Sequence, residues 1–453
     1  MGKYFGTDGF RGEAGVTLTS EQAFRTGRYL GHHLKERIKS KDVKPRVAIG
    51  KDTRLSSYML EYAIAAGLAA SGVDVYLLHV CTTPCVSYVT VTDGFDAGVM
   101  ITASHNPFPD NGIKIIDSKG EKLNDATAEL IERYIDKETE EIALASGREI
   151  GKIHDYYSGR NRYVGYLISL ASESYKGLRI GIDSANGSAF AISRAVFSAL
   201  GAEIHLIGDE PSGTNVNEAC GSTHPEQLAR LVKERGLDIG FAFDGDADRC
   251  IAVDGLGNVI DGDKIMYVLA MRLKRLGMLS GDSVVATVMS NGGFLKSMRE
   301  SGIQVETTQV GDRFVYERMQ ATSAMLGGEQ SGHIIIKKYA TTGDGILTAI
   351  MLTEELCDTK STLADLTKSI ETFPQISTSV RVKDKSKAVS DPQLKELIET
   401  VKCELGENAR LIIRESGTEP KLRIMIEAED AEMCKSQTDR ILALLRERGH
   451  TDE

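Results

Sequence analysis

Three stretches of the 453-residue chain repeat one order of events. Arg46 to Gly50 (RVAIG), Leu178 to Ile182 (LRIGI) and Ser283 to Val288 (SVVATV) are short apolar runs, each followed by a polar loop and then a helical spacing of apolar residues. Two of the loops carry Asn-Gly, at Asn186-Gly187 and Asn291-Gly292. Strands that alternate with helices close as crossover units on a parallel or mixed sheet, which places most of the chain in the α/β class. The unit repeats at roughly 100 residues, well beyond the period of a solenoid. The last 80 or so residues differ: Ile376 to Val382, Leu411 to Arg414 and Leu422 to Ile426 alternate like half-exposed strands, with helices expected at Pro392 to Leu405 and Ala431 to Arg446. The reading is three similar α/β domains with mixed sheets at 1–155, 156–254 and 255–372, then a smaller α+β domain at 373–453, around a central cleft.

Thr19-Ser20-Glu21-Gln22 fits a capping box and opens a helix to about Ile38, and Asn124 to Tyr134 and Asn161 to Leu170 have helical spacing too. The longest apolar run, Tyr62 to Ala70, is nine residues, where a membrane span needs about 20. The start MGKYFGTDGF lacks a basic region before an apolar core, so a cytoplasmic protein is expected. Seven cysteines, with no C-x-x-C pair, read as reduced thiols. A net charge of -11 disfavours nucleic acid and anionic membrane surfaces; a phosphate-bearing partner has to be small and met by a local basic site.

The sharpest motif is Asp244-Gly-Asp246-Ala-Asp248-Arg249, directly after the apolar run Ile239 to Phe243. Carboxylates at i, i+2 and i+4 of an extended loop point to one side and suit Mg²⁺. An EF-hand fails, because its sixth and twelfth positions are Arg249 and Gly255 here. Thr102-Ala-Ser104-His105-Asn106-Pro107 follows the strand Ala97 to Ile101, where α/β folds place ligands, although taken alone an ordinary turn closed by Asn-Pro accounts for it better. Adjacent Ser and His are not expected to face each other as a hydrolase pair, and no G-x-S-x-G elbow exists. Arg414-Glu-Ser416-Gly417-Thr418-Glu419-Pro420, with Arg423 beyond, is either an anion nest or a plain hairpin turn. Gly328-Glu329-Gln330-Ser331-Gly332-His333 offers a carboxylate, a hydroxyl and an imidazole for sugar hydroxyls, or is a polar loop. Lys51 and Arg54 add basic residues in a further loop, and no P-loop or complete dinucleotide signature is present.

In this order, TASHNP, DGDADR, GEQSGH and RESGTEP resemble the α-D-phosphohexomutase superfamily over the whole chain. KYFGTDGFRG, CGSTHPE and TVMSNGG point within it to the branch acting on glucosamine phosphates. The resemblance implies interconversion of glucosamine 6-phosphate and glucosamine 1-phosphate on the way to UDP-N-acetylglucosamine. It implies Ser104 as the phosphoserine, which with Asp244, Asp246 and Asp248 holds one Mg²⁺; Arg249, Arg11, Lys114 and His105 beside the chemistry; and Glu329, Ser331 and His333 on sugar hydroxyls. It assigns Arg414, Ser416, Gly417, Thr418 and Arg423 to the phosphate that is not reacting. The partners expected are the hexosamine phosphate and its 1,6-bisphosphate, and a homodimer is compatible with the sequence. A phosphomannomutase or phosphoglucomutase shares these motifs. A metal-dependent phosphatase and a non-catalytic sugar-phosphate sensor are the readings from other classes. With Arg11, Lys51, Arg54, Lys114, Arg249, Arg414 and Arg423 in or beside the motif loops, a basic cleft in an acidic protein is expected.

Overall fold

The computed structural model describes residues 2–6, 8–38, 43–406, 409–415 and 421–451. It divides into two compact units, Met1–Val288 with Glu306–Thr367 and Met289–Val305 with Lys368–Glu453.

In the first unit a seven-stranded sheet runs in the order Phe5–Gly6, Gly9–Glu13, Asp110–Asp117, Ala97–Ile101, Arg46–Lys51, Asp74–Val80, Ile153–Asp155. Its centre is parallel, because Arg46–Lys51 lies between Asp74–Val80 and Ala97–Ile101. Asp110–Asp117 then runs antiparallel to Ala97–Ile101 on one side and to Gly9–Glu13 on the other. The helix Ser20–Arg37 starts at the expected capping box, with Thr19 and Gln22 each bonded to the other's backbone N–H, a cap whose loss costs about 1 kcal/mol. Its buried Leu30 and Leu34 share a core with Leu60, Ile64 and Leu68 of the helix Leu55–Ala69.

The second sheet has the order Val259–Ile260, Cys250–Asp254, Ile239–Phe243, Arg179–Asp183, Glu203–Ile207. Ile239–Phe243 is parallel to Arg179–Asp183 but antiparallel to Cys250–Asp254, so the acidic motif is the connection of a hairpin. In the third sheet Ser283–Thr287 lies parallel to Leu326–Gly328, which pairs antiparallel with Ile334–Ile336. Glu329 to His333 is therefore a second hairpin connection.

The other unit has a three-stranded antiparallel sheet in the order Gln375–Arg381, Lys421–Glu427, Arg410–Glu415. The helices Pro392–Leu405 and Ala431–Glu447 close its core through Leu394, Val401, Ile441 and Leu445 against Leu422, Ile424 and Ile426. Mixed α/β sheets followed by a smaller α+β domain are the fold class the sequence leads one to expect. No helix among the described residues is long and apolar enough to cross a membrane.

Candidate active site

The strand Ile239–Phe243 is fully buried and delivers Asp244 to its carboxyl end. The following loop is a tight turn and not the extended segment expected: Ala247 is left-handed (φ 54°) and its N–H donates to the Asp244 carbonyl at 3.0 Å. Alanine carries no signal for that conformation, which the hairpin imposes. One ligand oxygen each from Asp244, Asp246 and Asp248 lies within 4.8 Å of the others, and all three residues are buried. Asp246 Oδ2 accepts from Lys114 Nζ at 2.7 Å and Asp248 Oδ2 from the same nitrogen at 2.9 Å. Asp246 Oδ1 and Asp248 Oδ1 are buried with no hydrogen-bond partner. Crowded buried carboxylates with orphaned oxygens are what a dication with hard oxygen ligands would satisfy, so the residues present fit the implied metal. Burial first, then Asp248 and Asp246, push the Asp244 pKa well above the carboxylate range. Asp248 sits at about 2, because Lys114, His333 and Arg249 outweigh the opposing effect of its burial.

Ser104 lies just past the buried strand Ala97–Ile101 and is itself buried. Its backbone is left-handed (φ 53°), and its Oγ donates to Asp244 Oδ2 at 2.5 Å. The serine and the acidic loop are thus brought together across 140 residues. The left-handed turn also brings His105 Nδ1 to 3.4 Å from Ser104 Oγ, so the neighbours do face each other, over a long contact. Burial, Arg249 and Arg11 lower the His105 pKa to about 4, so its ring is neutral at pH 7.

Arg11 and Lys114 come from paired strands. Arg11 is opposite Gly112, two residues before Lys114, which puts both side chains on one face of the sheet. The Lys114 pKa is raised, its two aspartates overcoming the cost of burial. Arg11 Nη2 lies 3.5 Å from Asp8, and its Nε is buried without a hydrogen bond. Arg249 Nε is 4.0 Å from both Asp244 and Asp248.

The Glu329-to-His333 hairpin is pinned against the acidic one. The Cys250 N–H donates to the Gly332 carbonyl at 3.0 Å, and Arg249 and His333 form an isolated antiparallel bridge. Glu329 Oε1 accepts from the Gly311 N–H at 2.9 Å, and Ser331 is exposed. His333 is buried with neither ring nitrogen hydrogen-bonded, 3.7 Å from Asp312. Lys114, Asp248 and His333, with Lys122, Asp312 and Arg313, line one cavity of about 260 Å³.

Lys51 and Arg54 depart from expectation. Lys51 is buried against Glu61, and Arg54 spends its guanidinium on Asp52 and on backbone carbonyls, so neither is presented to a phosphate. Asp8, Lys122 and Asp312 were missed: Lys122 Nζ bridges Asp8 at 2.9 Å and Asp312 at 2.6 Å. Gly311-Asp312-Arg313, a glycine cap leading into the charged first turn of the helix Asp312–Thr322, is the signal that could have marked Asp312. In the second unit Arg414 and Arg423 are cross-strand partners, both exposed. Like charges opposed on antiparallel strands destabilise a sheet unless an anion lies between them. Ser416, Gly417 and Thr418 lie outside the described residues.

These loops and sheets define an α/β protein with a buried carboxylate cluster beside a serine, and comparison gives the class. The chain belongs to the phosphoglucomutase/phosphomannomutase family: its alpha/beta/alpha domains I, II and III match residues 2–142, 161–257 and 261–373, and its C-terminal domain matches 378–444. Within that family its full-length relatives include phosphoglucosamine mutases. The one from Lachnoclostridium phytofermentans is 52% identical over 450 residues, covering 99% of both chains. That from Bacillus cereus is 46% identical over 447 residues, covering 98% of this chain and 99% of the relative. The crystal structure of a phosphoglucomutase/phosphomannomutase family protein from Burkholderia thailandensis superposes with a TM-score of 0.80 at 25% identity, covering 98% of this chain and 97% of that one.

Proposed function

We propose that this isomerase interconverts glucosamine 6-phosphate and glucosamine 1-phosphate, with Ser104 as the phosphoryl carrier, in UDP-N-acetylglucosamine synthesis in the cytoplasm. The observation that carries the reading is the contact of Ser104 Oγ with Asp244 Oδ2 at 2.5 Å inside a cluster of three buried carboxylates.

Asp244, Asp246 and Asp248 would hold the metal, with the phosphate of Ser104 beside it. A bound Mg²⁺ would supply charge neutralisation for the transferring phosphoryl group. The chain's own groups do the rest. Ser104 gives its phosphoryl to the free hydroxyl of the hexosamine phosphate: the serine O–P bond breaks and Oγ takes up a proton, while an O–P bond to the sugar forms and the hydroxyl proton leaves to a nearby base. The resulting 1,6-bisphosphate returns its other phosphoryl to Ser104. Lys114, Arg11 and Arg249 supply fixed positive charge around the transfer, where positioning and electrostatics dominate phosphoryl transfer. His105, neutral at pH 7, sets a ring nitrogen 3.4 Å from Ser104 Oγ and orients that oxygen. Glu329, Ser331 and His333 form the sugar-hydroxyl edge, and Arg414 with Arg423 suits a phosphate group.

The test uses purified protein, glucosamine 6-phosphate and a catalytic amount of the 1,6-bisphosphate. Wild type should form the 1-phosphate and show an intact mass heavier by one phosphate, placed on Ser104 by peptide mapping. Ser104→Ala should lose both while unfolding at the same urea concentration. Near wild-type turnover in that variant sinks the phosphoserine mechanism. Equal or better kcat/KM for glucose or mannose phosphate removes the glucosamine assignment, and steady release of inorganic phosphate without isomer replaces the mutase with a phosphatase.

A further inference from the structure

We propose that Arg54 and Asn217 are positioning residues for Ser104, both gripping the same two backbone carbonyls of the serine loop. The inference rests on Ser104 being the phosphoryl carrier and adds what holds it in place. Arg54 is fully buried. Its Nη2 donates to the Ser104 carbonyl at 2.9 Å and to the Asn106 carbonyl at 2.8 Å, and its Nη1 to those of Pro107 at 2.5 Å and Asp110 at 3.1 Å. Asn217, 113 residues beyond Ser104, donates from Nδ2 to the same Ser104 carbonyl at 2.9 Å and the same Asn106 carbonyl at 3.1 Å.

The other end of the Ser104 residue is held as well. Its N–H donates to Thr102 Oγ1 at 2.9 Å, and that hydroxyl donates to Asp52 Oδ2 at 2.8 Å. The same Asp52 oxygen accepts from Arg54 Nε at 2.8 Å. One frame thus fixes both the N–H and the C=O of a residue in the left-handed conformation (φ 53°) that L-amino acids avoid. Released from it, the serine would relax to an ordinary backbone and swing Oγ away from Asp244. Arg54 and Asn217 hydrogen-bond neither that Oγ nor the three carboxylates, so they act on the chemistry only through the backbone. Asn217 belongs to the segment matched by domain II and Arg54 to that matched by domain I, so the frame spans both.

Because the two side chains share their acceptors, each partly covers for the other. Asn217→Ala, Arg54→Lys and the double variant are compared with wild type for kcat, KM, the unfolding midpoint in urea and the ³¹P resonance of the phosphoserine. A misplacement on the order of 1 Å costs about a hundredfold in rate. Each single variant should lose about tenfold in kcat with KM within about twofold, and the double should lose more than the product of the singles. The phosphoserine resonance should shift or broaden in each. Where Arg54→Lys does not fold, Asn217→Asp stands in: it keeps the size but replaces the donor with an acceptor, and its kcat should fall at least as far as that of Asn217→Ala. Unchanged kcat in the Asn217 variants overturns the proposal. So does a loss seen only in KM or in the unfolding midpoint, or a double variant no worse than the product. Wild type run alongside separates the two readings, since a wild type that does not isomerise the sugar phosphate defeats the proposed function and not this frame.

Discussion

Asp244 is held under conditions that favour its neutral form. Burial and two neighbouring carboxylates raise its pKa well above the usual range, while Asp248, paired with Lys114, sits at about 2. A dication works in the opposite direction, so metal and proton compete for Asp244. Lowering pH therefore sets protons against metal. The Kd for Mn²⁺ or Mg²⁺ should fall by about tenfold per pH unit as pH rises, until Asp244 is ionised in the free protein, with about one proton released per ion bound. Calorimetry in buffers of different ionisation enthalpy measures that proton, and Asp244→Asn should lose it along with most of the affinity. A Kd independent of pH would remove Asp244 from the ligand set. The three aspartates were legible because carboxylates crowded just after a buried strand repel one another unless a cation sits among them. Lys51, Arg54 and Asn217 were not: the burial of a polar side chain depends on partners that nothing in its own neighbourhood announces, such as the Ser104 carbonyl 113 residues from Asn217.

Among elements, two hairpin connections do the positioning, and one glycine sets how closely they approach. Gly332 has φ 90°, and a Cβ there would stand 2.3 Å from the Cys250 carbonyl oxygen. That carbonyl belongs to the strand leaving the acidic loop, so the two hairpins cannot separate without moving Asp248 and Arg249. A left-handed alanine costs about 1–2 kcal/mol before any clash is counted. Gly332→Ala should therefore destabilise the protein by more than about 2 kcal/mol in urea titration and raise KM for the sugar phosphate. An alanine variant with wild-type stability and KM would show that the hairpins have room to spare. The strands Ala97–Ile101 and Ile239–Phe243 end where the sequence indicates, since continuous apolar runs stop at polar residues. That the acidic loop is a turn was not legible, because no glycine or asparagine marks Ala247, and the pairing of Ile239–Phe243 with Cys250–Asp254 bends it.

At the scale of the molecule, the net charge of -11 gives way inside the first unit to interleaved charges. Lys114, Lys122, Arg11 and Arg249 sit among Asp8, Asp244, Asp248 and Asp312, so the site there is mixed and not uniformly basic. Two buried carboxylates away from this network carry a stability cost instead. Burial raises both Asp183 and Asp344 to about 6, against an ordinary value of 3.8. A carboxyl whose folded pKa is raised contributes stability below the unfolded pKa and loses it as pH rises through the folded one. The window here is about pH 4 to 6, and each shift of about two units corresponds to about 3 kcal/mol. Asp344 caps the buried helix Gly345–Thr359, accepting from the Leu347 N–H at 2.9 Å, and its other oxygen accepts from the Tyr163 hydroxyl at 2.7 Å. Removing that hydroxyl should matter more when the acceptor is charged, since a hydrogen bond to a charged group contributes about 1.5–3 kcal/mol and one to a neutral group about 1. Tyr163→Phe should therefore lose roughly twice as much stability at pH 8 as at pH 5, measured by urea unfolding at both. Equal losses at the two pH values would mean that Asp344 does not change charge between them, and the raised carboxyl would have to be abandoned as a source of the pH dependence.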